Sequence, residues 1–300
     1  MAQNYRTSDT GTAHGRIMVA TPIIRAGELI LTETPLIEGD SRVSPADWEK
    51  SPFLNQTTSK TSNPVRTLNA AERQFFSELA GSGTTQYGRV KKNSFSESND
   101  DETSMIVRIF RNINYINHSC LPNAIVYYNS EFARDPVTNE WEGRGILRAV
   151  KKPAIGDEIN ICYQTDQAWT PKRIESLSKQ YGFTCECPAC PKGIRETSEI
   201  VEYNVSVVRR AQMQVLYTVL LRHYPQNDAE QPAAIAVRIL NDDDEDPQDS
   251  DPEIYGKSLE YLTLLEEEGI VDQRYVQALY FAAYFAHRAK RHDHAASFAG

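Results

Sequence analysis

Three thiols within six residues, Cys185-Glu186-Cys187-Pro188-Ala189-Cys190, limit what this chain can fold into more than any other stretch. Thiolates packed so closely suit a soft divalent ion such as zinc, which takes four tetrahedral ligands with sulfur at about 2.3 Å. The fourth ligand must come from elsewhere in the chain. Cys120 is the leading candidate, His118 is the alternative, and Cys162 lies inside an apolar run. The total of five cysteines is odd, and the N-terminal stretch MAQNYRTSDTGTAHG is polar, without the apolar core of a secretory signal. Both features point to metal or free thiols in an intracellular chain, not to disulfides. No basic patch surrounds the cysteines, so a nucleic-acid finger is not expected.

Two further stretches concentrate chemistry. Asn117-His118-Ser119-Cys120-Leu121-Pro122-Asn123 gathers hydrogen-bonding residues where Pro122 enforces an extended or turning backbone. Gly156-Asp157-Glu158-Ile159-Asn160-Ile161-Cys162-Tyr163 reads as a turn feeding a short strand that ends in a tyrosine.

The net charge of −9 argues against binding nucleic acid through bulk charge. Most of that charge sits in Asp242–Glu253, which holds eight acids and no base, and the rest of the chain is nearly neutral. Like-charge repulsion with Pro247 and Pro252 predicts a solvated linker over 241–253. No apolar run approaches the roughly 18 residues of a membrane-spanning helix.

Between polar stretches at about 41–69 and 93–104, both read as loops, the periodic segments fall into two groups. Short strands are expected first. Gly15–Ile37 reads as two strands joined by a turn at Arg25-Ala26-Gly27-Glu28, and Gly145–Val150 and Glu158–Tyr163 as two more joined through Gly156-Asp157. Leu68–Leu79 has helical spacing with Asn69 as N-cap, and Met105–Phe110 and Ile125–Tyr128 are short apolar runs. From about Ser198 only helical periodicity remains. Val201, Val205, Val208, Val215 and Val219 share one face, Tyr255, Leu259, Leu262 and Leu265 form a second stripe, and Tyr275, Leu279, Ala282 and Ala286 a third. Strands followed by helices predict an α+β fold.

The order of these motifs resembles the SET-domain protein lysine methyltransferases. Four segments carry the resemblance: His14-Gly15-Arg16-Ile17 with Gly27-Glu28, then Asn117–Asn123, then Gly156–Tyr163, then the Phe183–Cys190 post-SET segment. The spacer with Pro171, Arg173 and Leu177 is similar to the SMYD branch, which usually also carries a MYND zinc finger. No cysteine lies between Ile37 and Met105, where that finger would fall. The implied organisation is a flexible N-terminus at 1–14, a SET core at 15–165 with a helical insertion at about 41–104, a zinc-closed post-SET segment at 166–196, and a helical, tetratricopeptide-like region at 197–300. The helix-like start at His294–Gly300 reads as the beginning of a longer repeat region.

The resemblance implies transfer of a methyl group from S-adenosyl-L-methionine to a protein lysine, histone or otherwise. Arg16, Ile17, Asn117, His118, Tyr163 and Phe183 would hold the cofactor, with Tyr163 also serving the transfer step. Zinc would sit on Cys120, Cys185, Cys187 and Cys190. The expected partner is a protein with a target lysine, such as a histone tail; nucleic acid and membrane are not expected. A monomer in the nucleus or cytoplasm, not secreted, completes the expectation. The alternative is a SET-fold scaffold or binding protein, because Ile17 stands where the family has the second glycine of Gly-x-Gly. A third reading makes the helical tail a peptide-binding surface.

Overall fold

The computed structural model describes residues 4–11, 15–40, 68–79, 85–98, 105–134, 141–164, 170–190, 197–224 and 251–299. The chain divides into two compact units. One comprises residues 1–117 with 124–160, and the other 118–123 with 161–300.

The first unit is built on short antiparallel sheets. Strand β1 (Tyr5–Asp9) pairs with β2 (Arg16–Ala20), and β3 (Leu29–Glu33) pairs with β9 (Trp141–Ala149), which also pairs with β8 (Ala124–Arg134). Strand β4 (Ile37–Asp40) and β5 (Phe95–Ser98) flank β6 (Met105–Ile109). Three expectations are corrected here. The expected flexible N-terminus at 1–14 contains a strand, because Tyr5–Asp9 runs in full register along Arg16–Ala20 and buries Tyr5. The strands either side of Arg25–Glu28 form, but they enter different sheets instead of pairing with each other. The polar stretch 93–104, expected as a loop, contributes β5, whose main chain is satisfied by β6.

Helix α1 (Ala70–Glu78) starts as its sequence dictates. Asn69 accepts from the Glu72 N–H at 3.0 Å, and the Glu72 carboxylate accepts from the Asn69 N–H at 2.9 Å, closing a capping box. Its Phe75 and Phe76 pack with Leu36, Ile37, Ile109 and Val90 of α2 (Gln86–Asn93). The polar stretch from 41 to 67 lies outside the described residues. Glu33 then fixes the approach to the Asn-His-Ser-Cys motif. Its carboxylate accepts from the main-chain N–H groups of Asn112 and Ile113 at 2.9 to 3.1 Å, bracing the single turn Ile113–Tyr115 that leads to β7 (Asn117–His118).

Beyond β10 (Asn160–Ile161), the regular elements among the described residues of the second unit are helices. It contains α3 (Thr170–Tyr181), α4 (Thr197–His223), α5 (Asp251–Glu267), α6 (Gln273–Arg288) and α7 (His292–Ala299). Met213, Leu216 and Leu220 of α4 pack with Tyr261, Leu262 and Leu265 of α5 and with Phe281 and Phe285 of α6. Val219 packs against this core as expected, but the rest of the expected face of α4 is corrected. Val205, Val208 and Val215 are 46%, 58% and 64% exposed, while Arg210, Met213, Leu216 and Leu220 turn inward. The side chain of Val201 lies outside the described residues. Arg210 enters that core because the Glu268 carboxylate meets it at 2.6 Å.

The acidic linker expected over 241–253 is also revised at its end. Asp251, Pro252 and Glu253 form the first turn of α5, where a missing N–H costs nothing and negative charge meets the positive helix end. Asp251 is buried and pairs with Arg288. The remaining acids, Asp242–Asp249, lie outside the described residues.

Candidate active site and metal centre

Every sulfur of the expected metal set lies in the second unit. The Sγ atoms of Cys120, Cys185, Cys187 and Cys190 are all within 4.8 Å of one another. Cys120 stands 3.8 Å from Cys185 and 3.6 Å from Cys190. Metal–sulfur bonds of about 2.3 Å in a tetrahedron imply sulfur–sulfur edges of about 3.8 Å. The donor set therefore fits zinc in both chemistry and spacing. Three of the four cysteines are buried and Cys187 is half-buried.

Local sequence explains the convergence. Gly182 ends α3 in the left-handed conformation, with φ of 81°, and its N–H bonds back to Ser178 at 2.9 Å. That turn sends Phe183 and the cysteines back along the helix. A second bond, from the Cys190 N–H to the Cys187 carbonyl at 2.9 Å, closes the cysteine loop on itself. From the other side, the Ser119 N–H donates to Ile161 at 2.9 Å, and the Ser119 hydroxyl accepts from the Leu121 N–H. The motif thereby presents Cys120 inward, fully buried with Leu177 and Ala189.

The thiols titrate as one set. Contact with Cys120 raises the thiol of Cys185 far above its ordinary range, and contact with Cys120 drives Cys187 and Cys190 toward thiolate. Protons are thus shared unequally among four crowded sulfurs, a state that a divalent ion resolves by displacing them.

His118 is brought to the sulfurs without joining the ligand set. Its Nδ1 accepts the main-chain N–H of Tyr163 at 3.0 Å, so Nδ1 is unprotonated and Nε2 carries the hydrogen. Nε2 lies 3.2 Å from Cys120 Sγ and donates to it. Of the two candidates for fourth ligand, the geometry favours Cys120.

Around Tyr163 the structure gathers aromatic rings. Its centroid is 5.0 Å from Tyr181, 5.3 Å from His118 and 6.4 Å from Phe183. Tyr181 was not among the residues expected from the sequence. The available signal was its spacing on α3, where Arg173, Leu177 and Tyr181 recur every fourth position and so share one face. Burial raises the Tyr181 phenol, with the nearby Cys162 thiol adding to the rise, so the group stays protonated at neutral pH. Cys162 does not join the metal set; its thiol donates to the Gln164 carbonyl at 2.6 Å.

The remaining expected residues belong to the first unit. Arg16 projects from β2, donating to Glu78 at 2.7 Å and to the Tyr115 hydroxyl at 2.6 Å, so its guanidinium is already paired within the first unit. Ile17 lies half-buried in regular strand opposite Ser8. The left-handed backbone of the Gly-x-Gly segment falls on Gly15, with φ of 64°, and position 17 makes no such demand. The side-chain amide of Asn117 donates to Glu158 at 2.9 Å.

Comparison with known proteins identifies the family. The SET-domain family matches residues 15–164, and the chain belongs to that family. Within it, the chain is similar to SMYD-type enzymes. It is 30% identical over 104 residues to the human histone-lysine N-methyltransferase SMYD3, covering 35% of this chain and 22% of that one. It is 32% identical over 106 residues to the zebrafish N-lysine methyltransferase SMYD2-B, covering 35% and 22%. The match to mouse SMYD2 is 28% over 136 residues, covering 44% and 29%. In these matches the chain spans less than a third of the relatives' length. Among solved structures, the SET domain of LSMT bound to lysine and AdoHcy is 9% identical and covers 97% of this chain and 88% of that one, with a TM-score of 0.37. Among the described residues, no helix is long and apolar enough to cross a membrane.

Proposed function

We propose that this protein methylates lysine side chains of other proteins, using S-adenosyl-L-methionine, with a zinc ion on Cys120, Cys185, Cys187 and Cys190 as a structural support. The observation that carries the reading is Tyr163 among His118, Tyr181 and Phe183, in the same unit as the four sulfurs.

The cofactor supplies an electrophilic methyl on a cationic sulfonium. The chain's residues supply surroundings. The aromatic faces of Tyr163, Tyr181 and Phe183 attract cations and exclude water, which suits both a sulfonium and a lysine side chain. A free lysine ammonium titrates near about 10.4, and an apolar setting beside positive charge lowers that value, so the amine can lose its proton to solvent without a dedicated base. The Tyr163 hydroxyl would orient the amine toward the methyl, and alignment supplies most of the acceleration. The main chain at Arg16 and Ile17, together with Asn117 and His118, would hold the adenosine and amino-acid portions. Since both ring nitrogens of His118 are engaged, its share falls to its main chain and ring face. The protein substrate would be a histone or another lysine-bearing protein, met in the nucleus or cytoplasm.

The test is calorimetric titration with S-adenosyl-L-methionine, followed by incubation with histones and cell extract and labelled cofactor. Saturable binding and label on lysine support the proposal. Neither binding nor transfer by a zinc-loaded protein would overturn it in favour of a scaffold.

A further inference from the structure

Helix α3 carries a cation into the sulfur cluster. Arg173 is 1% exposed, and its Nε donates to Cys120 Sγ at 2.9 Å while Nη2 lies 3.8 Å from Cys190 Sγ. An arginine this deep needs an anion. Neutral thiols are poor partners for it, whereas four thiolates around one divalent ion form a buried anion that a fixed cation matches.

The geometry points to Arg173 as the charge-compensating support of the metal centre: it neutralises part of the thiolate charge and locks the Cys120 rotamer, without binding the metal itself. This rests on the zinc reading above. Two donors, Arg173 Nε–H and His118 Nε2–H, converge on Cys120, one from helix α3 and one from the motif itself. Hydrogen-bond donation to a metal-bound thiolate withdraws charge from sulfur and fixes its direction, the role that outer partners play at many metal sites. The same helix then carries Leu177 against the cysteines, and Tyr181 one turn later against Tyr163. Arg173 therefore acts as a positioning residue. It ties α3, and with it the Tyr181 ring, to the metal ligands.

The experiment measures zinc in the full chain, first in the wild type by elemental analysis, then by competition with a coloured chelator. Arg173→Met, similar in length and uncharged, should weaken zinc retention about 10- to 100-fold, the range typical of lost outer partners. Arg173→Lys, which keeps charge but loses the fork, should fall between. The discriminating variant is Cys187→His in the Arg173→Met background. It removes one thiolate charge at the half-buried position, so it should recover at least part of the lost affinity, although Cys187→His alone gains nothing. If Arg173→Met does not fold by itself, the same rescue is read as recovery of circular dichroism in excess zinc. A wild type without zinc would sink the metal reading itself. A zinc-loaded wild type with unchanged retention in Arg173→Met would overturn this inference alone. So would failure of the double variant to recover either affinity or folding, which would make Arg173 a matter of packing.

Discussion

The main-chain N–H of Tyr163 and the Nδ1 of His118 are joined by one hydrogen bond of 3.0 Å, and the far side of the same imidazole donates to the sulfur of Cys120. One ring thus spans from the aromatic site to the metal ligands. Because Nδ1 is an acceptor, the tautomer is set by the backbone and the sulfur contact follows from it.

His118→Asn separates the two ends of that bridge. An asparagine oxygen can replace Nδ1 as acceptor, but its side chain is too short to reach Cys120. Zinc retention against a chelator should weaken by about 10-fold, within the range for lost outer partners, with turnover falling less than in His118→Ala. Equal zinc retention in wild type and both variants would show that the bridge does not act on the metal.

Tyr163→Phe tests the transfer step. The substitution keeps the ring and its contacts with Tyr181, His118 and Phe183, so stability should change by no more than about 1 kcal/mol. If the hydroxyl orients the amine, kcat should fall about 10- to 1000-fold, or about 1.4 to 4 kcal/mol. Cofactor affinity should fall far less than the rate, because the interaction matters mainly in the transition state. Wild-type turnover in this variant removes Tyr163 from the mechanism.

Metal removal should act through structure. Cys120, Cys185 and Cys190 are buried with Leu177 and Ala189, and emptying the centre leaves four crowded sulfurs without the ion that would tie the cysteine loop to Cys120. Chelation should therefore lower the melting temperature, and zinc should restore it. Cys185→Ser should show the same loss without rescue. An unchanged melting curve after complete zinc removal, checked by elemental analysis, would show that the cluster holds itself together.

The sequence carried the site better than it carried the sheets. Cysteine spacing and the Asn-His-Ser-Cys motif led to the four sulfurs because the chemistry of a thiolate site leaves few alternatives. Asn69 could be read as a helix cap because a capping box is local. Strand partners were not legible: Leu29–Glu33 pairs with Glu33↔Gly145 and Leu31↔Leu147, more than a hundred residues away, and nothing in its own pattern names that partner. Tyr5–Asp9 is polar enough to look unstructured, and only its match to Arg16–Ala20 makes it a strand. The contacts of Arg173, and Tyr181 altogether, stayed hidden for a different reason. A buried arginine and a site tyrosine look like surface and core until the helix face they share is placed against sulfur and aromatic rings.

Helix α4 gives the sharpest test of where sequence reading failed, because two neighbouring residues exchange roles. The valine stripe suggested Val215 as a core residue, yet Val215 is 64% exposed and Leu216 is 7% exposed. The stripe misled because apolar residues are numerous on this helix and several faces satisfy a helical period. The inward face is decided by partners, with Leu216 and Leu220 meeting the apolar residues of α5 and α6 and Arg210 meeting Glu268. Val215→Ala should consequently leave stability within about 0.5 kcal/mol of wild type, with a slight gain from better helix propensity. Leu216→Ala should lose about 2 to 5 kcal/mol, since it leaves a cavity among packed side chains. Denaturant melts of the two variants, followed by the helical signal, make the comparison directly. A larger loss at position 215 than at 216 would mean that the helix sits turned by about a hundred degrees from the face described, the step between neighbouring residues on an α-helix.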